Sequence, residues 1–574
     1  MEAGEIMLRR GLLDKRQLEL ARGKVQDGTG ILDSAVALGF VDEEAALRAI
    51  AEEVGLDYID LNETDVDLSL LKNFPTKLIH RQSIFPISRS NGHLVVATSD
   101  PFDLYPIDEV ASATGLSVTP VLAGRNELTK LIKRHLGVGS ETVDSLVEAT
   151  ADDDGIELLS GMEADGSELS EMAQEASVVR LVNEILLEAI ETRASDVHIE
   201  SQAHGLRIRY RIDGVLQTQP VPAEIHRFAA AIISRLKIMS RLNIAEKRLP
   251  QDGRMKLKVV GREIDVRVSV MPMIHGEGLV MRILDKSAMK FDLQGLGMEV
   301  KTYEAFRQII DLPHGIVLVT GPTGSGKTTT LYSALVEINS PDIKIVTTED
   351  PVEYQLEGIN QIQVHTKIGL TFAHTLRSIL RHDPDVILVG EIRDLETAEN
   401  AIQASLTGHL VFSTLHTNDA SGSFTRMIDM GVEPFLVAST VEAIMAQRLV
   451  RKLCRHCRQP FQPKHEDVPT DFPWDEFMEL QAPLQRPVGC RQCRNTGYSG
   501  RMGIYELLVT TNEIRQLAHD GVSSWKMKDA AVNLGMDTLR TDGWKKVMRG
   551  ETSVDEILTA TKGDHQVTIE RKTA

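Results

Sequence analysis

Between Val319 and Leu335 the chain reads VTGPTGSGKTTTLYSAL. Gly321, Pro322, Thr323, Gly324, Ser325, Gly326, Lys327 and Thr328 fill the pattern G-x-x-x-x-G-K-[ST]. Glycines let backbone N–H groups turn onto phosphate oxygens with no Cβ in the way. Lys327 is placed to reach β- and γ-phosphates, and the Thr328 hydroxyl to bind Mg²⁺. These residue types suit ATP with Mg²⁺. The flanks agree: GIVLV before the loop reads as a buried strand, and KTTTLYSALVEI after it as a helix whose N-terminus favours anions. A chance glycine turn has no reason to sit in that order.

A phosphate loop alone does not hydrolyse anything. Hydrolysis needs acids at strand ends, one near the metal and one near the attacking water. DVILVGEIRD supplies a buried strand, Val386 to Val389, followed by Glu391 and Asp394. IKIVTTEDPVEY supplies another, followed by Glu349, Asp350 and Glu353. In a doubly wound sheet both strand ends face the ligand crevice. HTLRSILRHDPD places Arg377 and Arg381 four apart on one helix face, where they serve equally as phosphate-directed arginines or as an ordinary solvated surface. His409 and His416 bracket the strand in TGHLVFSTLHTND, and a histidine beside a strand is most often structural.

All four cysteines fall in two pairs, Cys454-x-x-Cys457 and Cys490-x-x-Cys493. In a reducing compartment such pairs suit a tetrahedral Zn²⁺ rather than disulfides, with four unpaired buried thiols as the structural alternative.

These residues need a scaffold, and 574 residues exceed one ordinary core. Residues 1–62 read as a helical domain with an internal repeat: Gly11 matches Gly39, and Asp14 matches Asp42 as a helix N-cap. Residues 63–137 read as a small α/β domain, with two strands around an Asn91-Gly92 turn. Residues 138–177 form an acidic stretch that reads as a flexible linker. Residues 178–290 read as a second α/β domain, with LRIRYRIDGVLQT and REIDVRVSVMP as half-buried strands and RFAAAIISRLKIMSRL as a helix. The nucleotide domain spans 291–562, with the cysteine insertion at 454–493, and residues 563–574 read as a frayed tail.

The formal net charge is −20, which disfavours broad nucleic-acid binding. No stretch approaches the roughly 18 apolar residues that cross a bilayer, and MEAGEIMLRRG lacks the apolar core of a secretion signal. The expectation is a cytoplasmic protein, peripheral to any membrane it serves.

Together, GPTGSGKTTTLY, TTEDPVEY, RHDPDVILVGEIRD and ASLTGHLVFSTLHTND resemble the Walker A, aspartate-box, Walker B and histidine-box blocks of the secretion ATPases of type II secretion and type IV pilus assembly. ASDVHIE, RIDGVL and AEKRLPQDGR resemble the second N-terminal domain of that family, and the likeness spans residues 65–562. The resemblance implies an α/β fold: a RecA-like P-loop ATPase domain preceded by a PAS-like α/β domain and small N-terminal helical and α/β domains. It implies that Lys327 and Thr328 bind ATP and Mg²⁺, that Glu349 activates water, and that Glu391 is the Walker B glutamate. By the same likeness Arg377 and Arg381 lie near the phosphates. Arg209 and Arg211 belong to a domain that closes over the nucleotide, and His409 and His416 couple nucleotide state to domain position. It also implies a homohexamer at the inner membrane, docked on platform proteins through its N-terminal domains. Assembly and secretion members carry a tetracysteine insertion, implying Zn²⁺ on Cys454, Cys457, Cys490 and Cys493. HGEGLVMRILDK with FDLQGLGM resembles the type II secretion branch more closely, with pilus extension as the alternative and a DNA-translocating motor behind it. Two departures stand out. Gly278 replaces a usual basic residue. Neither N-terminal repeat keeps the arginine-leucine-glycine signature of cyclic di-GMP-binding relatives, so partner docking is expected there instead.

Overall fold

The fold comes from a computed structural model that describes residues 2–24, 31–61, 64–72, 74, 78–79, 83–90, 92–103, 105–136, 176–259, 262–285 and 291–562. The tail 563–574 and the acidic linker, apart from its last two residues, lie outside the described residues. The chain divides into two compact units, Met1–Ser287 and Ala288–Ala574.

The first unit opens with the repeat read from the sequence. The helix Ala3–Arg9 turns at Gly11, with φ +72°, into Lys15–Arg22, and Ile31–Ala37 turns at Gly39, with φ +69°, into Glu43–Val54. Left-handed φ at both glycines ends each first helix at low steric cost. Asp14 and Asp42 then cap the second helices, accepting from Gln17 N at 2.7 Å and Ala45 N at 3.1 Å.

Strands β1 (Asp57–Tyr58), β2 (Ile84–Ser90), β3 (His93–Thr98) and β4 (Ser117–Leu122) form a sheet in the order β1-β4-β3-β2. β2 and β3 are antiparallel, with Ser90 opposite His93, and Asn91 of the expected Asn-Gly turn lies outside the described residues.

Further along, β5 (Asp196–Gln202), β6 (Gly205–Ile212), β7 (Val215–Thr218), β8 (Gln251–Val259), β9 (Arg262–Met273) and β10 (Gly276–Asp285) form an antiparallel sheet in the order β7-β6-β5-β10-β9-β8. LRIRYRIDGVLQT is therefore a hairpin and not one strand. It folds back at Asp213 and Gly214, whose φ values of +49° and +86° suit the tight turn. The helices Ala176–Glu191 and Ala229–Met239 share the core of this sheet. The first begins two residues inside the acidic stretch.

In the second unit, β11 (Gly315–Thr320), β12 (Ile345–Glu349), β13 (Asn360–Gln363), β14 (Val386–Val389), β15 (Leu410–Leu415), β16 (Val441–Leu453) and β19 (Tyr498–Val509) form one sheet. Its order is β13-β12-β14-β15-β11-β16-β19, parallel except where β19 runs against β16. With β11 set between β15 and β16, this is a RecA-like arrangement. β11 is buried at every position because helices cover both faces. Ile316 and Leu318 join one core with Ile387 and Val411, while Val317 and Val319 join the other with Leu331 and Phe412. Between β16 and β19 lie β17 (Gln459–Phe461), the helix Trp474–Leu480 and β18 (Leu484–Arg486), which carry the cysteine pairs on their flanks. Among the described residues no helix is long and apolar enough to cross a membrane.

Asp42→Ala removes one cap, worth about 1 kcal/mol. Amide hydrogen exchange in the Glu43–Val54 helix is expected to quicken about fivefold, with β2 and β3 unchanged.

Candidate nucleotide-binding site

The loop that follows β11 is built so that only glycine fits at its tight points. Gly321, Gly324 and Gly326 have φ of +148°, +80° and +92°. A Cβ on Gly321 would stand 2.6 Å from the Gln447 carbonyl oxygen and 2.7 Å from Ser325 Oγ, and one on Gly326 would stand 2.7 Å from Gln447 Nε2. The helix Lys327–Ile338 then starts with Gly326 as its N-cap and no side chain bonded to its first turn. Its leading N–H groups are those an anion would take. Ser325 Oγ is buried and has no hydrogen-bond partner. Open helix amides, a partnerless buried hydroxyl and a cradle that a Cβ would fill fit a phosphate group.

Lys327 folds back over this cradle, donating to the carbonyl oxygens of Gly321 at 2.8 Å and Pro322 at 3.2 Å. Burial pushes its pKa below the usual value, the Glu391 carboxylate pulls it back up, and Arg448 adds to the lowering. Glu391 follows β14, as the sequence predicts. Its Oε2 lies 3.2 Å from His416 Nε2 and its Oε1 2.7 Å from Arg393. Thr320 Oγ1 ties the end of β11 to the loop after β15, accepting from Thr417 N at 2.9 Å. Thr328 is exposed beside Lys327.

Glu349 ends β12, yet its carboxylate is drawn into the core. Tyr332 donates to its Oε2, and Thr347 and Gln361 donate to its Oε1 at 2.6 and 3.1 Å. Burial and the Glu349 charge both push the Tyr332 phenol above its ordinary pKa, so it remains the donor.

The two histidines are not brought together. His416 follows β15 and meets Glu391, whereas His409 precedes β15 and bonds Ala404 O at 2.9 Å and Thr407 Oγ1 at 3.1 Å. Six residues of strand separate them, about 20 Å of chain. Arg377 and Arg381 do not share a helix face. The helix Phe372–Ile379 stops at Leu380, because Asp383 takes a left-handed φ of +52° ahead of Pro384. Arg381 Nη1 instead donates to Arg377 O at 2.8 Å, and Arg377 pairs with Glu396 at 2.5 Å on the surface. Asp394 caps the helix Leu395–Leu406, accepting from Thr397 N at 2.8 Å, so it serves the fold. In the first unit Arg209 pairs with Glu200, and Arg211 lies 3.6 Å from Asp196. Gly278 on β10 faces Glu200 and Met271 in the sheet, with the Met273 side chain filling the space above it.

Gln447 and Arg448 escaped the sequence reading. They extend β16 past the end of β11, with Gln447 Oε1 accepting from the buried Thr330 hydroxyl at 2.8 Å. A polar pair inside the apolar run VEAIMAQRLV was the available signal.

The four cysteines converge at the far end of β16. Sγ of Cys454 lies 3.9 Å from that of Cys490, and Cys493 lies 3.7 Å from both Cys457 and Cys490. Four sulfurs about 2.3 Å from one zinc stand about 3.8 Å apart. Backbone N–H groups of Cys490 and Gly497 donate to Cys493 Sγ at 3.1 and 3.2 Å, as they do to a metal-bound thiolate. The donor set fits Zn²⁺.

Residues 171–559 match the family model of the type II/IV secretion system protein, and residues 54–142 match the MshEN domain. The chain belongs to the type II/IV secretion system protein family. Among the relatives of this secretion protein is the type IV pilus assembly ATPase PilB of Myxococcus xanthus, 42% identical over 566 residues, covering 98% of this chain and 99% of that protein. Another is the type II secretion system protein E of Xanthomonas campestris, 44% identical over 576 residues with the same two coverages. Among solved structures, the pilus retraction motor PilT with bound ADP aligns at 27% identity and a TM-score of 0.45, covering 66% of this chain and 97% of that one.

Gly321→Ala must push its Cβ against a strand carbonyl that cannot yield. Binding of a fluorescent ATP analogue to this variant is expected to be lost, with the circular dichroism of the fold retained.

Proposed function

We propose that this chain is a secretion ATPase that hydrolyses ATP to power pseudopilus assembly and protein export in a type II secretion system, as a homohexamer at the cytoplasmic face of the inner membrane. One observation carries the reading. Lys327 stands at an open helix N-terminus within electrostatic reach of Glu391, which His416 and Arg393 hold in place. The relative named type II secretion system protein E supports this choice of system. A second reading, type IV pilus extension, is supported by the equally extensive likeness to the pilus assembly ATPase.

In this proposal the amides of residues 323–328 bind the β- and γ-phosphates, and Lys327 exchanges its two carbonyl partners for phosphate oxygens. Thr328 holds Mg²⁺, which supplies charge neutralisation on those oxygens when bound. Glu391 would help hold the metal, with His416 and Arg393 fixing the orientation of its carboxylate. Glu349 orients the attacking water only by giving up the Tyr332 hydroxyl, so the pose described here withholds it. Arg377 and Arg381, both on the surface, are offered to the nucleotide of a neighbouring subunit. Arg209 and Arg211 are nucleotide-binding residues that must first part from Glu200 and Asp196. His409 serves the turn before β15, and its coupling role is indirect, through that strand. Zn²⁺ on Cys454, Cys457, Cys490 and Cys493 is structural, because all four ligands come from the chain. The N-terminal domains dock on inner-membrane platform proteins and not on nucleic acid.

Lys327→Ala and Glu391→Ala are each expected to lower ATP turnover by about 100-fold or more. Phosphate release at wild-type rates from both would end the ATPase reading. Metal analysis of the purified chain is expected to find one zinc per chain, lost in Cys454→Ser together with several degrees of melting temperature.

A further inference from the structure

A second cation stands beside the phosphate loop because of strand register. β16 pairs with β11 so that Ala446 lies opposite Thr320, which brings Gln447 and Arg448 level with the first residues of the loop. A Cβ on Gly321 would lie 3.1 Å from Nη1 of Arg448. That nitrogen donates to Gln447 O at 2.9 Å, and Nη2 donates to Asn418 O at 2.6 Å. Two of the five N–H donors of a guanidinium are thus spent on neutral carbonyls. Among the described residues no carboxylate forms an ion pair with it. Burial lowers the pKa of Arg448, and the charges of Glu506 and Asp419 only partly oppose this.

A half-buried cation costs free energy unless an anion meets it. Glu391 already bonds His416 and Arg393, and it is also the carboxylate that offsets the burial of Lys327. Two cations therefore flank Gly321 with too little negative charge between them. A guanidinium N–H makes a charge-assisted hydrogen bond to a phosphate oxygen, whereas neutral carbonyls alone leave the charge uncompensated.

We propose that Arg448 contacts the nucleotide directly, donating from β16 to an oxygen of the terminal phosphate while Lys327 approaches from the loop. This rests on the nucleotide reading given above and adds a residue to it. Nη2 stays on Asn418, so phosphate, Arg448 and the loop that carries His416 make one hydrogen-bonded chain. Occupancy by a triphosphate is then felt at the Glu391–His416 pair through Arg448 and the loop that carries Asn418.

The test titrates fluorescent ATPγS and fluorescent ADP into the full chain as wild type, Arg448→Gln, Arg448→Lys and Lys327→Ala. Arg448→Gln is expected to weaken ATPγS about tenfold or more, the scale of one charge-assisted hydrogen bond, and ADP by no more than about threefold. Arg448→Lys keeps the charge and is expected to recover most of the loss, which it would not do if the fork merely braced two carbonyls. Wild-type affinity for ATPγS in Arg448→Gln overturns the proposal and leaves the nucleotide reading standing. An equal loss for ADP overturns the terminal-phosphate contact. Failure of the wild type to bind either analogue overturns the nucleotide reading itself. Should Arg448→Gln not fold, phenylglyoxal labelling of the wild type decides by mass spectrometry. ATPγS is expected to shield Arg448, and undiminished labelling overturns the contact.

Discussion

Open N–H groups at the start of a helix are a standing cost, and the second unit holds one such set in a rigid cradle at the end of β11. Several helices of this unit spend a side chain on that problem: Thr371, Asp394, Thr511, Thr538 and Ser553 each cap one. The helix after the phosphate loop does not, since Gly326 has no side chain to offer. Holding such an end still requires walls, and β15 and β16 provide them on either side of β11. The loop glycines follow from those walls, because the carbonyl and carboxamide of Gln447 already fill the space a Cβ would need.

The acids divide by what holds them. Glu391 lies at a strand end with a histidine and an arginine on its oxygens, close enough to influence Lys327. Glu349 lies at the next strand end but points at a phenol, a hydroxyl and a carboxamide. Equal placement in the topology therefore gives unequal access to a ligand. The difference is set by Tyr332, which lies in the very helix whose start is left uncapped beside the glycine loop.

Local signals were legible in the chain and non-local ones were not. The glycine loop, the buried strands around it, the duplicated glycine–aspartate spacing and the antiparallel pairing of β2 with β3 depend on neighbours within a few residues, and each is realised. The Asp213-Gly214 turn was equally local and went unread, so one strand was expected where two occur. Arg381 was set on a helix that the left-handed Asp383 ends two residues earlier. Gln447 and Arg448 were marked only by being a polar pair in an apolar run, and their role was not legible, because it depends on how far β16 slides past β11. The meeting of four sulfurs was foreshadowed by their pairing, but not the amides that support Cys493.

That sliding has an evolutionary corollary. β16 is thirteen residues long, paired on both edges, and carries the two residues against the loop near its middle and a cysteine just beyond its end. Because side chains alternate across a strand, gaining or losing a single codon early in it inverts every downstream position, exchanging the faces of Gln447 and Arg448 and misaligning the thiol cluster. Length variation among descendants of this gene should therefore collect in the segment between β17 and β18 and spare the strand itself.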